Sequence, residues 1–188
     1  IATDESFPPE THENSEEPMF LSGCNRQRIG LRNLERSRTL EGLMELALSP
    51  ALIRLKADAE NWQQAVTLVG QLLETNGYVE PRYIQATLDA VRTLGPYIVL
   101  APGIAVPHAR PEDGALKTGI SLVTLSTPVC FGSEENDPVD LLIGLSSVDG
   151  KTHIGLFKRM CNFLADDENV AKLRAMENPQ EAADFINL

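Results

Sequence analysis

Apolar positions along this chain follow two rhythms, one helical and one extended. Val66, Val69, Leu72 and Leu73 fall on one face of a 3.6-residue period, and Asn61 stands ahead of them as an N-cap. The spacing predicts a helix over 61–75, closed by Asn76-Gly77. Pro81 is placed like a first-turn proline, so a second helix is expected over 81–94, stopped by Gly95-Pro96. β-rich fragments at 97–100 and 104–106 and clearer runs at 119–126 and 139–148 predict strands. Leu141-Leu142-Ile143 is continuously apolar, as a strand covered on both faces should be. A short strand is expected over 51–56. Helices are expected over 39–48, 152–165, 167–176 and 179–187, with Thr152 as a cap. Together these elements predict an α/β fold, a mixed sheet with helices on both faces.

Residues 1–38 do not share this pattern. The first 18 carry Asp4, Glu5, Glu10, Glu13, Glu16 and Glu17, no Lys or Arg, and Pro8, Pro9 and Pro18. Low hydrophobicity with charge and proline predicts a disordered N-terminal extension over 1–38, ahead of one domain over 39–188. Arg26, Arg28, Arg32, Arg36 and Arg38 then reverse the sign. A solvated tail is the simpler reading of this charge pattern.

Composition narrows the partners. The formal net charge is -11, with 27 acidic against 16 basic residues, in a chain of 188. This argues against nucleic acid, whose phosphates need clustered Lys and Arg, and against anionic membrane surfaces. No apolar run reaches the length of a membrane span. Cys24, Cys130 and Cys161 are far apart and form no CxxC pair, which reads as reduced thiols in the cytoplasm. Cys130 and Cys161 look like small core or near-core residues.

Candidate chemistry concentrates at two histidines. His108 ends a short apolar stretch within Ala101-Pro102-Gly103-Ile104-Ala105-Val106-Pro107-His108-Ala109-Arg110-Pro111. The prolines fix the backbone on both sides of the ring. A rigidly held imidazole serves as a nucleophile or proton carrier near neutral pH, and equally as a strand-end histidine satisfied by hydrogen bonds. His153 follows the strand expected over 139–148. If the two strands are neighbours, both rings reach one edge of the sheet, where α/β folds place their sites. Two imidazoles suit phosphoryl transfer, one as nucleophile and one facing the phosphoryl oxygens. They also suit zinc, the weaker option, since no HExxH and no cysteine pair supplies further ligands.

Gly150-Lys151-Thr152 resembles the end of a phosphate-binding loop. The first glycine of that motif belongs at position 145, which is leucine; Gly144 falls one residue early. A nucleotide loop is excluded, although the amides of the helix start remain open to another anion. No Gly-x-Ser-x-Gly is present.

The runs GIAVPHAR, GPYIVLAPGIAVPHARPEDGALKTG and ENDPVDLLIGLS, with the turn Asp149-Gly150-Lys151-Thr152-His153-Ile154, carry a resemblance. They resemble enzyme IIA domains of the bacterial sugar phosphotransferase system, in the mannitol/fructose class and its ascorbate-type or cryptic-mannitol-type branch. The similarity covers roughly 40–188. It implies that His108 accepts a phosphoryl group from the phosphocarrier HPr as a tele-phosphohistidine. His108 then passes it to a cysteine of enzyme IIB, which phosphorylates sugar during transport by a membrane IIC. His153 matches the family's second histidine, which stabilises the phosphorylated ring. No metal, nucleotide or other cofactor is implied. Many relatives carry an arginine upstream of the histidine; Arg92 is its ungapped counterpart here, and Arg110 is a competing cation. The surface around His108 is expected to be partly apolar, through Ile104 and Val106, for transient docking. The alternative role is a regulatory phospho-switch, in which the phosphorylation state of His108 controls a regulator or kinase.

Overall fold

The computed structural model describes residues 48–187. The extension over 1–38, and all but the last residue of the helix expected over 39–48, lie outside the described residues. From Leu48 the chain enters a 3-10 turn, Pro50–Leu52, whose first free amide side is capped by the Ser49 hydroxyl. This turn takes the front of the strand expected over 51–56. Strand β1 is therefore Ile53–Ala57. Helix α1 is Trp62–Thr75, and the Asn61 side chain accepts from the Gln64 amide as expected of an N-cap. Helix α2 is Pro81–Leu94, ended by Gly95 at φ 79.

A tight hairpin follows, β2 Val99–Ala101 and β3 Ile104–Ala105, turned by Pro102-Gly103 with Gly103 at φ 77. Strands β4 Gly119–Val129 and β5 Val139–Ser146 form the long antiparallel centre. Helices α3 Gly150–Leu164, α4 Asp167–Ala175 and α5 Pro179–Ile186 complete the domain. No helix among the described residues is long and apolar enough to cross a membrane.

The sheet order is β1-β4-β5-β3-β2. β1 runs parallel to β4, β5 antiparallel to β4, β3 parallel to β5, and β2 antiparallel to β3. The sheet is mixed, as the sequence predicts.

Alternation along the strands divides the core in two. Leu122, Leu141, Ile143 and Leu145 pack on one face with Leu156, Met160, Leu173 and Ala183 of α3, α4 and α5. Val123, Leu125 and Leu142 pack on the other face with Val66, Val69, Leu88 and Val91 of α1 and α2. Helices thus cover both faces. The continuous run Leu141-Leu142-Ile143 is buried because each successive side chain meets a different layer.

Gly144, the near-miss glycine of the phosphate-loop reading, lies inside β5. A Cβ there would collide with Val69 of α1 and with the Ser121 hydroxyl, which donates to the Val69 carbonyl at 2.9 Å. Its role is close packing of a helix on the sheet. Gly144→Ala should cost about 1–3 kcal/mol through overpacking. Urea denaturation checks this, and unchanged stability would contradict the close approach.

Candidate functional site

The site forms where β3 and β5 end side by side. Their parallel register pairs Ile104 with Leu141 and Ala105 with Leu142. Beyond β3 the pairing continues as one further bond, from the Leu145 amide to the Pro107 carbonyl at 3.0 Å. Pro107 has no N–H to extend the ladder, so the chain leaves the sheet there with His108 next. β5 ends at Ser146, short of the strand expected to 148, and a brief loop leads into α3 with His153 in its first turn. The ring centroids of His108 and His153 are 5.4 Å apart.

Hydrogen bonding fixes the His108 tautomer. Its Nδ1 lies 2.8 Å from the Val106 carbonyl oxygen, which can only accept. Nδ1 therefore carries the proton and Nε2 carries the lone pair. Phe157, one turn beyond His153 on α3, stacks on His153 with centroids 6.3 Å apart and meets the edge of His108 at 6.4 Å. Tyr97 packs edge-on to His108 at 5.6 Å, and its hydroxyl reaches the His108 carbonyl at 3.4 Å. These aromatic walls leave both histidines half-buried. Burial pulls the His108 pKa below the ordinary histidine range, with the Val106 bond opposing. Burial also lowers that of His153, and the neighbouring His108 adds to the effect. Both rings are held neutral at pH 7, and a neutral His108 is a nucleophile.

The two candidate arginines sit differently. Arg110 follows the His108 loop, its side chain exposed, 4.0 Å from Glu112. It lies close enough to Tyr97 to oppose the upward pull of burial on that phenol. Arg92 lies in the last turn of α2 and donates to Asp89 at 2.8 Å. The structure thus leaves Arg110 exposed on the loop after His108, its charge felt by Tyr97, and commits Arg92 to a partner on its own helix.

Several expectations are corrected. Asp149, and not Thr152, caps α3: its carboxylate accepts from the Thr152 amide at 2.8 Å and from the Thr152 hydroxyl at 2.6 Å. An aspartate reaches back over the first turn, where Thr152 itself supplies the donors. The anion at this helix start is therefore Asp149's own carboxylate. Ile104 and Val106 are buried, facing the core, and form no docking surface. The exposed apolar side chains beside the second histidine are Val148 and Ile154. Cys130 is exposed and Cys161 half-buried, because Cys130 falls just after β4 where the alternation ends.

Tyr97, Phe157 and Tyr83 escaped the sequence reading. Phe157 carried a signal, its i+4 spacing from His153. Tyr83 and Tyr97 read only as apolar members of their elements. Among the described residues, no three His, Cys, Asp or Glu are grouped as metal ligands.

Two imidazoles face each other at the carboxyl edge of a mixed sheet, and the family match makes this chain a phosphotransferase that carries phosphoryl groups between proteins. The chain belongs to the phosphoenolpyruvate-dependent sugar phosphotransferase system EIIA 2 family, whose model matches residues 47–188. It is 52% identical over 137 residues to the ascorbate-specific PTS system EIIA component of Shigella boydii, covering 72% of this chain and 88% of that one. Its fold matches the mannitol-specific cryptic phosphotransferase enzyme IIA of Escherichia coli with TM-score 0.68 and 38% identity, over 76% of this chain and 96% of that one. It also matches a complex of mannitol enzyme IIA with phosphorylated enzyme IIB from Escherichia coli, with TM-score 0.66, 33% identity and coverage of 74% and 96%.

The lowered histidine pKa values have a stability consequence. Between the folded-state values and the ordinary 6.5, the unfolded chain binds more protons than the folded one. The stabilisation is complete above 6.5 and is lost as pH falls through the folded-state values. Thermal unfolding from pH 7.5 to 5 should show Tm falling with pH, and His108→Gln should flatten that slope. A wild-type Tm independent of pH in this window would contradict the burial of the rings.

Proposed function

We propose that His108 is the phosphoryl acceptor of this enzyme IIA, and that it works at Nε2. The observation that carries the reading is the bond from Nδ1–H to the Val106 carbonyl, which leaves Nε2 as the nitrogen with a free lone pair. The donor is the phosphohistidine of HPr. The Nε2 lone pair attacks phosphorus, and the donor P–N bond breaks with its electrons returning to the donor ring. The group leaves in the same manner when a cysteine thiolate of enzyme IIB attacks, forming a P–S bond and restoring neutral His108. IIB then supplies sugar moving through a membrane IIC. The reduced-thiol reading of the cysteines supports a relay in the cytoplasm. The relatives' names favour ascorbate as the sugar.

His153 answers the change of charge. While His108 is bare, His153 stays neutral. A phosphoryl dianion on the neighbouring ring favours its protonated form, which then donates to a phosphoryl oxygen. Arg110, exposed beside the site, supplies mobile positive charge. Val148 and Ile154 give docking partners an apolar contact beside His153.

Labelling with radioactive phosphoenolpyruvate, enzyme I and HPr tests the assignment. His108→Ala should lose labelling entirely, and full labelling would overturn it. His153→Ala should still label yet transfer to IIB at a rate lower by roughly 10²–10³, as expected on removal of one group facing developing charge. Normal transfer would remove its role. Against a panel of purified IIB proteins, the ascorbate-type member should be charged fastest.

A further inference from the structure

The side chain of Tyr83, on α2, reaches through the core with 2% exposure. Its hydroxyl lies 2.8 Å from the Leu145 carbonyl and 3.1 Å from the Ala109 carbonyl, and it accepts from the Ala109 amide at 3.1 Å. Leu145 in turn donates its amide to the Pro107 carbonyl at 3.0 Å. Both backbone groups of Leu145 therefore hold the neighbours of His108. Pro107 is held directly, and Ala109 through the tyrosine hydroxyl. His108 is the residue between these two stakes.

The stakes bear on the ring itself. The Nδ1 acceptor, Val106, is anchored by its own amide to the Ile98 carbonyl at 2.8 Å. The turn at residues 107–109 sets where the ring sits relative to that anchor. The contact to the His108 backbone itself, from the Tyr97 hydroxyl, is a long 3.4 Å. Burial keeps the Tyr83 hydroxyl protonated, with its pKa pushed up to about 12, so it stays a donor at every physiological pH.

We infer that Tyr83 is a positioning residue for phosphoryl transfer, its hydroxyl fixing the 107–109 turn so that His108 keeps Nδ1 on Val106 and Nε2 free. The inference rests on the reading of His108 as acceptor. It adds a residue that never touches the phosphoryl group.

Tyr83→Phe in the full chain removes the hydroxyl alone. At saturating phosphorylated HPr, acceptance should slow by about tenfold with KM within about twofold, since displaced reacting atoms cost rate more than binding. Nitrogen-15 NMR of His108 should show the pure Nδ1–H tautomer in the wild type and a mixture in the variant. Leu173→Val, in the core under α4, controls for lost stability and should leave both readouts unchanged. A Tyr83→Phe protein that melts earlier but keeps wild-type rate and tautomer overturns the inference. In the wild type, the Ala109 amide should be protected from hydrogen exchange as strongly as that of Leu145; rapid exchange overturns it even if the variant does not fold. If wild-type protein is not labelled at all, the acceptor reading fails, while the tautomer measurement still decides the role of Tyr83.

Discussion

The parallel pairing of β3 with β5 is the constraint on which the rest of the site depends. Two strands running the same way end at the same edge, so the loops that follow them start side by side. One loop carries His108 and the other leads into His153. β3 is only two residues long, Ile104–Ala105, and is held by the hairpin partner β2 on one side and β5 on the other. The central β4–β5 pair supplies the rigidity, since it is long, antiparallel and covered by helices on both faces. A short strand locked to a long one gives the active edge a fixed geometry without lengthening the loop.

Electrostatics at that edge follow from packing. Rings of Tyr97, Phe157 and the two histidines crowd together, and burial holds both imidazoles neutral. The site is therefore locally apolar within an acidic chain of formal charge -11. Under the role proposed for His108, charge arrives with the phosphoryl group and leaves with it, which suits a group that must be taken up and released again.

Much of the fold was legible because local chemistry agreed with tertiary structure. Asn61 and Pro81 mark the starts of α1 and α2, and Gly95 marks the end of α2. The strand run Leu141-Leu142-Ile143 announced its burial on both faces. The edge shared by His108 and His153 was legible only on the condition that their strands are neighbours, which no periodicity states. Errors arose where two residues compete for one bond. Asp149 and Thr152 are both good caps, and only three-dimensional reach decides which one accepts. Ile104 and Val106 were expected to give an apolar docking surface around His108, yet both are buried, Ile104 within β3 between β2 and β5 and Val106 just after it. Tyr83 was not legible as a neighbour of the site, because what ties it there is a hydroxyl contact with Leu145, 62 positions away.

The cap at Asp149 has a further meaning. A helix start with free amides is a strong trap for phosphate. Here the Thr152 amide and hydroxyl in the first turn of α3 are answered by a carboxylate built into the chain. Under the role proposed for His108, this helix start offers an incoming phosphoryl group less than an uncapped one would. A carrier gains from that restraint. A phosphohistidine held too well would become a sink, so under the proposed role this partial neutralisation helps keep the group at high transfer potential.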